Sequence, residues 1–506
     1  MMDLWLFSGT KLRTKFDTIK KFNIIIKTQV FRVLQKKIII EEINTMSSKS
    51  VSKSVIWQLG GKFALQGIAF FTTPIFTRLL TPADYGYTAL YLSWLSIFGI
   101  IIGLGVDGSI GNARIKYGED KLPGYLSSIM SISLLSFIMV LALLSVFNKW
   151  LVPFLGMKKE IVYLLIFHSF FQFVINFEIG KLDALKKVEK SAIISLSVSI
   201  IVILLSLFLV TIVKENRAIA KIFGQAIPII TFGLLLLFLT YVKGKTLWNK
   251  EYNSFCILLV FPLLFHSLGH LIFSQSDKIM IQKMQDDSSL GVYSIVVSLC
   301  SVLSIIYGAL NTAWVPFYYD YKKEKKYADI KVHTIRYIKF FTLITCGFIL
   351  LSYDVYKLMA PEEYWGGMKL LPLLVLSSYF SFLYLFPVNH EFYNAKTKLI
   401  PIATFFVSCI NILINWLLIP IYGMIGATIA TLISHILLFI LHEFFARFIV
   451  HDYEIEWHFY IPGVFFLLIV IILSYFFMQN VYLRWFFAGF IGLFIVKDLV
   501  KQKSIF

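Results

Sequence analysis

Apolar runs of about twenty residues recur from Val55 almost to the C-terminus, separated by short polar segments. Each is long enough to cross a hydrocarbon core of about 30 Å as a helix. The runs fall near 55–77, 87–108, 125–147, 160–180, 191–213 and 219–242, then near 255–276, 291–313, 335–353, 368–388, 400–420 and 422–446. Two more lie near 457–478 and 481–497. The pattern predicts an all-α polytopic membrane protein with about fourteen transmembrane helices. The short alternating segments of a membrane β-barrel are absent from the sequence.

Several spans carry polar residues at helical spacing. In the first, Ser54, Gln58, Lys62 and Gln66 recur every fourth residue, and Thr73 and Thr77 continue close to the same face. A lysine in mid-span costs several kcal/mol unless it faces protein or a wet cavity, so one side of this helix should not face lipid. In the seventh span His266, His270, Ser274 and Asp277 share a face, with Lys278 at its end as Arg78 is at the end of the first. His168, Gln172 and Asn176 line up in the fourth span, with Glu178 near its end. The eleventh span carries Thr404, Ser408, Asn411 and Asn415, and the twelfth His435, His442 and Glu443. The second and eighth spans show small faces instead, Ser93, Ser96, Gly99 and Gly103 in one and Ser294, Ser298, Ser301 and Gly308 in the other. Such faces permit close helix packing or line a cavity. The second span ends toward Asp107 and Arg114. The ordinary alternatives are interhelical hydrogen bonds for Ser, Thr and Asn, and snorkelling to headgroups for Arg78, Arg114 and Lys278.

The spans also repeat. Tyr85-Gly86-Tyr87 introduces the second and Leu290-Gly291-Val292-Tyr293 the eighth, an offset of 205 residues (291 − 86). The same offset sets Gly103-Leu104 on Gly308-Ala309. Six spans per repeat give halves of equal orientation, which suits a transporter whose two lobes rock about a midplane site. The expected organisation is a basic N-terminal segment (1–54), an N-lobe (55–242), a C-lobe (243–446) and two extra helices with a basic tail (447–506).

Charge settles orientation more than partners. The chain has 506 residues, 15% of them charged and 58% hydrophobic, with a formal net charge of +18. That excess would suit nucleic acid, but the Lys and Arg residues sit between spans, where they set topology, so no nucleic-acid partner is expected. Counting them puts Arg114/Lys116/Lys121, Lys181/Lys186/Lys187/Lys190, Lys243/Lys245/Lys250 and the run at 322–326 inside, with both termini cytoplasmic. Lys149/Lys158/Lys159 and Lys214/Arg217/Lys221 are the exceptions. Residues 1–54 lack an uninterrupted apolar core and a small-residue cleavage site, which argues against a signal peptide. They read either as a basic amphipathic segment on the inner leaflet or as an extension upstream of a start at Met46. The four cysteines fall singly within apolar spans, with neither metal spacing nor a disulfide framework.

Enzyme motifs are missing. There is no G-x-x-x-x-G-K-[ST], and His390-Glu391 and His442-Glu443 open an H-E-x-x-H that Asn394 and Ala446 fail to complete. His266 and His270 share a face without a third ligand, so neither a metal nor a cofactor is expected. The loops are too short for a soluble catalytic domain. Transport would therefore draw on an ion gradient, the membrane potential or the substrate gradient.

Arg78-Leu79-Leu80-Thr81-Pro82-Ala83-Asp84-Tyr85-Gly86 resembles the signature after the first span of polysaccharide-unit flippases, the Wzx-type branch of the MOP exporter superfamily. Gly103-Leu104-Gly105-Val106-Asp107 with Arg114 is similar to its second-span ending. Asp277, Leu290-Gly291-Val292-Tyr293, Pro316-Phe317-Tyr318 and Tyr422-Gly423-Met424-Ile425-Gly426-Ala427-Thr428 resemble the second half, and the likeness covers about residues 50–445. It implies two six-helix lobes around a central cavity with two peripheral helices. It also implies movement of an undecaprenyl-diphosphate-linked oligosaccharide between leaflets of the bacterial inner membrane, beside a polysaccharide polymerase and chain-length machinery. On that reading Lys62, Gln58, Gln66, Arg78, Arg114, His266 and Lys278 are candidate cavity residues, the cations attracting the diphosphate. Asp107, Glu178, His270 and Asp277 are candidates for ion coupling, as titratable groups in or bordering spans. The alternatives are a multidrug/cation antiporter of the same superfamily and a lipid II flippase-like protein.

Overall fold

The computed structural model describes residues 64–502, with Trp57, Gly60 and Gly61 before them, apart from the side chains at 262, 263, 265, 266, 499, 501 and 502. The basic segment 1–54, Gln58, Lys62 and the side chain of His266 lie outside the described residues.

A first helix (α1, 64–79) is followed by α2 (Pro82–Gly103). The 78–86 signature contains a helix start, since α2 begins at Pro82 and takes Gly86 into its second turn. Thr81 is the reason. Its hydroxyl accepts from the Asp84 amide at 3.2 Å, the Asp84 carboxylate accepts from the Thr81 amide at 3.3 Å, and proline occupies the first helical position. A 3-10 turn at Val106–Ser109 then leads into α3 (Ile110–Val146), which breaks at Gly118 where φ is +76°. The short α4 (Asn148–Leu155) precedes α5 (Lys159–Ala184), α6 (Val188–Ile212) and α7 (Arg217–Gly244).

The second half opens with α8 (Lys250–Met284), then α9 (Asp287–Lys323) and α10 (Tyr327–Met359). The tenth span divides into α11 (Leu371–Leu383) and α12 (Leu385–Tyr393). Pro387 accounts for the division, since its ring clashes with the carbonyl four residues back, at Leu383. Helices α13 (Leu399–Tyr422), α14 (Met424–Phe444), α15 (Ile461–Phe476) and α16 (Val481–Gln502) complete the chain. Among the described residues eleven helical stretches are long and apolar enough to cross a membrane.

The 205-residue offset appears in the backbone. Pro82 and Asp287 are equivalent helix starts, and Asp286 caps α9 by accepting from the Ser289 amide at 2.6 Å, as Thr81 caps α2. The two repeat glycines lie against each other. A Cβ added to Gly86 would meet the Asp287 carbonyl oxygen at 1.7 Å, and one added to Gly291 would meet the Pro82 carbonyl oxygen at 2.0 Å. Only glycine permits two helix backbones to approach so closely. The seam is fastened beside this crossing: Tyr364 donates to the Leu80 carbonyl at 2.8 Å and Thr77 to the Met359 carbonyl at 2.6 Å.

Helix α8 crosses from one half to the other. Near its start Asn253 accepts from Ser128 of α3 at 2.8 Å, and Lys116 sits 4.1 Å over the Phe255 ring. Toward its end Ser276 donates to Asn411 at 3.0 Å and Asp277 accepts from Asn415 at 2.6 Å. The boundary expected near residue 243 is therefore bridged by a helix packed on both halves. Helices α15 and α16 pack on α10, where the fully buried Arg484 holds Asp354 with both terminal nitrogens at 2.8 and 2.9 Å.

Candidate translocation cavity

The small face of α2 is the starting point. Ser96, Gly99 and Gly103 leave room that bulkier side chains would fill, and the 3-10 turn extends the wall with Gly105, Asp107 and Gly108. Helix α5 brings Gln172 and Asn176, and α8 closes the far side with Leu264, Ser267 and Leu271. Together they enclose about 650 Å³ between the first half and the opening helix of the second.

A second space of about 440 Å³ adjoins it and shares Leu95, Gln172 and Asn176. It lies between α1, α2, α5, α6 and α7, with His168, Ser195, Ser199 and Gln225 as its polar lining. The α5 stripe thus presents one polar face to both spaces. His168 pairs with the Tyr91 hydroxyl at 3.0 Å, and Gln172 donates to Asn176 at 3.2 Å. Amide and hydroxyl groups that both donate and accept suit a ligand rich in hydroxyls. Asp107 is the acidic group among the described lining residues of the larger space.

The other candidates fall elsewhere. Gln66 is exposed on α1. Arg78, also exposed, donates to the carbonyls of Pro74 at 2.7 Å and Leu358 at 3.0 Å, which places it at the seam between the halves. Arg114 holds Glu119 at 2.7 Å and the Ala184 carbonyl at 2.9 Å, tying α3 to the end of α5. Lys278 is partly buried and donates to Gln275 at 3.3 Å. Glu178 pairs with Lys181, and His270 is exposed on α8. Asp277 is buried and accepts from Asn415 at 2.6 Å, Thr431 at 2.5 Å and Tyr293 at 3.1 Å. Its three donors come from α13, α14 and α9, so the seventh- and eleventh-span stripes meet there.

Sequence reasoning named Glu391, His442 and Glu443 but missed how the ionic groups buried in the second half pair. His442 meets Glu391 at 2.7 Å with both side chains fully buried, joining the two incomplete H-E motifs across α12 and α14. Glu443 is held by Arg447 at 2.8 Å and by Tyr460 at 2.7 Å, while Lys322 pairs with Glu454. The signal in the sequence was two charged residues inside otherwise apolar spans, and nothing there told which would pair.

Comparison with known proteins places this architecture. The chain is similar to the lipid II flippase MurJ in an inward closed conformation, with a TM-score of 0.68 and 16% identity, covering 89% of this chain and 99% of that one. It is also similar to an inward-facing multidrug resistance MATE family transporter of the MOP superfamily, with a TM-score of 0.58 and 14% identity over 79% of this chain and 97% of that one. At such identities the likeness shows the fold alone. In sequence it is 24% identical over 368 residues to an Lsg locus protein of Haemophilus influenzae, covering 69% of this chain and 86% of that protein. A second membrane protein of Haemophilus influenzae is 24% identical over 362 residues, covering 67% and 83%. The family model described as polysaccharide biosynthesis protein matches residues 51–321, more than half of the chain, and this multi-pass membrane protein with the fold of MOP-superfamily transporters belongs to that family.

Proposed function

We propose that this protein is a flippase that carries undecaprenyl-diphosphate-linked oligosaccharide units across the bacterial inner membrane by alternating access, for O-antigen, capsule or exopolysaccharide synthesis. The observation that carries the reading is the cavity between α2, α5 and α8, where amides, hydroxyls and glycines stand among apolar side chains. Sugars would occupy this wet space while the polyprenyl tail stays in the bilayer. The seam at Gly86 and Gly291 would have to open for release, and on the Lys/Arg count it faces the periplasm, with both termini in the cytoplasm. The polar groups of the lining are neutral apart from Asp107, which favours a glycan over a cationic drug, for which more acidic groups would be wanted.

In this reading Asp107 in the cavity wall and Asp277 between α8 and its neighbours carry the ion coupling. Lys62 attracts the diphosphate, and Arg78 acts on the seam instead. A polymerase and chain-length machinery would take the delivered unit. The test is complementation of a bacterium lacking its own O-antigen flippase, with surface polysaccharide stained for wild type, Lys62→Ala and Asp107→Asn at equal expression. Restoration by wild type and loss in either variant supports the reading. A drug-efflux phenotype without surface polymer favours the antiporter and overturns it.

A further inference from the structure

The lysines between spans read in the sequence as topology markers, yet the fold gathers four of them around one pocket. Lys181 comes from the last turn of α5, Lys187 from the link to α6, Lys190 from the first turn of α6 and Lys243 from the last turn of α7. The pocket holds about 380 Å³ at the lysine-rich end of the first half, away from the translocation cavity. Its size suits a headgroup-sized ligand.

Two carboxylates also line it, and both are engaged. Glu178 pairs with Lys181, and Glu119 accepts from Arg114 at 2.7 Å. Lys187, Lys190 and Lys243 have no carboxylate partner among the described residues. All three are exposed at the pocket, where solvent weakens their mutual repulsion and leaves their ammonium groups free to gather on one anion. Below the lysines the wall is apolar, made by Leu122, Leu126, Leu182 and Leu236. Helix α7 extends this division outward: Leu235, Phe238 and Val242, next in sequence to pocket residues, are exposed apolar side chains.

The opposite end of the same half offers a contrast. A pocket there, of about 490 Å³, is lined by Lys158 against Asp84 and Asp287. In that pocket the carboxylates outnumber the lysine, the reverse of the balance at the end that the Lys/Arg count puts in the cytoplasm. Basic pockets between helices on that side hold phosphate-bearing lipid headgroups.

We propose that the pocket between α3, α5, α6 and α7 binds the phosphate group of a lipid in the adjacent leaflet, with its chains running down the outer face of α7. The chemistry is that of a lipid phosphate anion, from a glycerophospholipid or from a polyprenyl diphosphate. The site stands apart from the transport cavity, and binding is read without transport, so it succeeds or fails independently of the flippase reading.

The test uses the purified full-length protein and native mass spectrometry with phosphatidylglycerol, zwitterionic phosphatidylethanolamine and undecaprenyl diphosphate as probes. Wild type is compared with K187Q/K190Q/K243Q and with K149Q/K158Q/K159Q, which removes the same charge at the other end. Affinity for the anionic probes should fall about five-fold per lysine in the pocket variant. It should hold in the control and in K187R/K190R/K243R, with phosphatidylethanolamine weak throughout. Displacement of phosphatidylglycerol by undecaprenyl diphosphate assigns the site to the polyprenyl lipid, and persistence assigns it to bilayer phospholipid. Either supports the pocket. Equal binding by wild type and pocket variant, or equal loss in the control, overturns it. Should the triple variant not be monodisperse, the three single variants carry the same comparison.

Discussion

The two halves begin alike and end differently. Each opens a helix with a capped turn, and each places a glycine against the other's backbone, at Gly86 and Gly291. Beyond that crossing the first half leaves space: its small α2 face and its α5 amides border two adjoining cavities. The second half spends its polar groups on itself, through Glu391 with His442, Glu443 with Arg447 and Asp277 with three donors. A polar stripe within a span therefore has two outcomes. It borders a cavity where facing residues are small, and it locks helices together where they are complementary.

The sharpest way to break this contrast is at the buried pair. His442→Ala leaves Glu391 without its partner inside the second half and should cost about 3–5 kcal/mol, measured as a fall in thermal stability in detergent. The double variant Glu391→Met/His442→Leu should recover most of that loss, since an apolar pair needs no compensation. A stable His442→Ala protein would mean that the second half is not a locked block.

Next comes the crossing. Gly86→Ala drives a methyl into the Asp287 carbonyl and should cost about 1–3 kcal/mol, whereas Gly99→Ala, with nothing within 4 Å, should stay within about 0.5 kcal/mol. Equal thermal shifts for the two would remove the glycine argument. A third comparison sits in the cavity. Gln172→Leu with Asn176→Leu should leave stability within about 1 kcal/mol yet reduce surface polysaccharide about ten-fold in the complementation assay, through lost hydrogen bonds to sugar. The smallest effect is expected at the exposed seam, where Arg78→Gln should cost less than about 1 kcal/mol in thermal stability. A loss as large as that of His442→Ala would make Arg78 a structural keystone of the seam.

Much of this was legible beforehand for physical reasons. Thr81, Pro82 and Asp84 specify a helix start through bonds within four residues, although the start came earlier than the apolar run implied. The α5 stripe was readable because a helix repeats its face every three to four residues, so Gln172 and Asn176 had to point the same way. Cation roles were less legible. Arg78 finds a carbonyl 280 residues away, and Arg114 one 70 residues away, where spacing carries no information.

The sequence by itself determined the spans, their polar faces, the repeat and the side of the membrane that its lysines favour, because hydropathy, helical periodicity and charge are local properties of the chain. Which faces meet was decided only by the tertiary structure. The same Glu-and-His pattern that looked like a broken motif became a buried pair, and the same lysines that marked topology came to surround one pocket. Pairing depends on which helices lie side by side and how closely their backbones approach, and that is settled by packing over the whole assembly of helices.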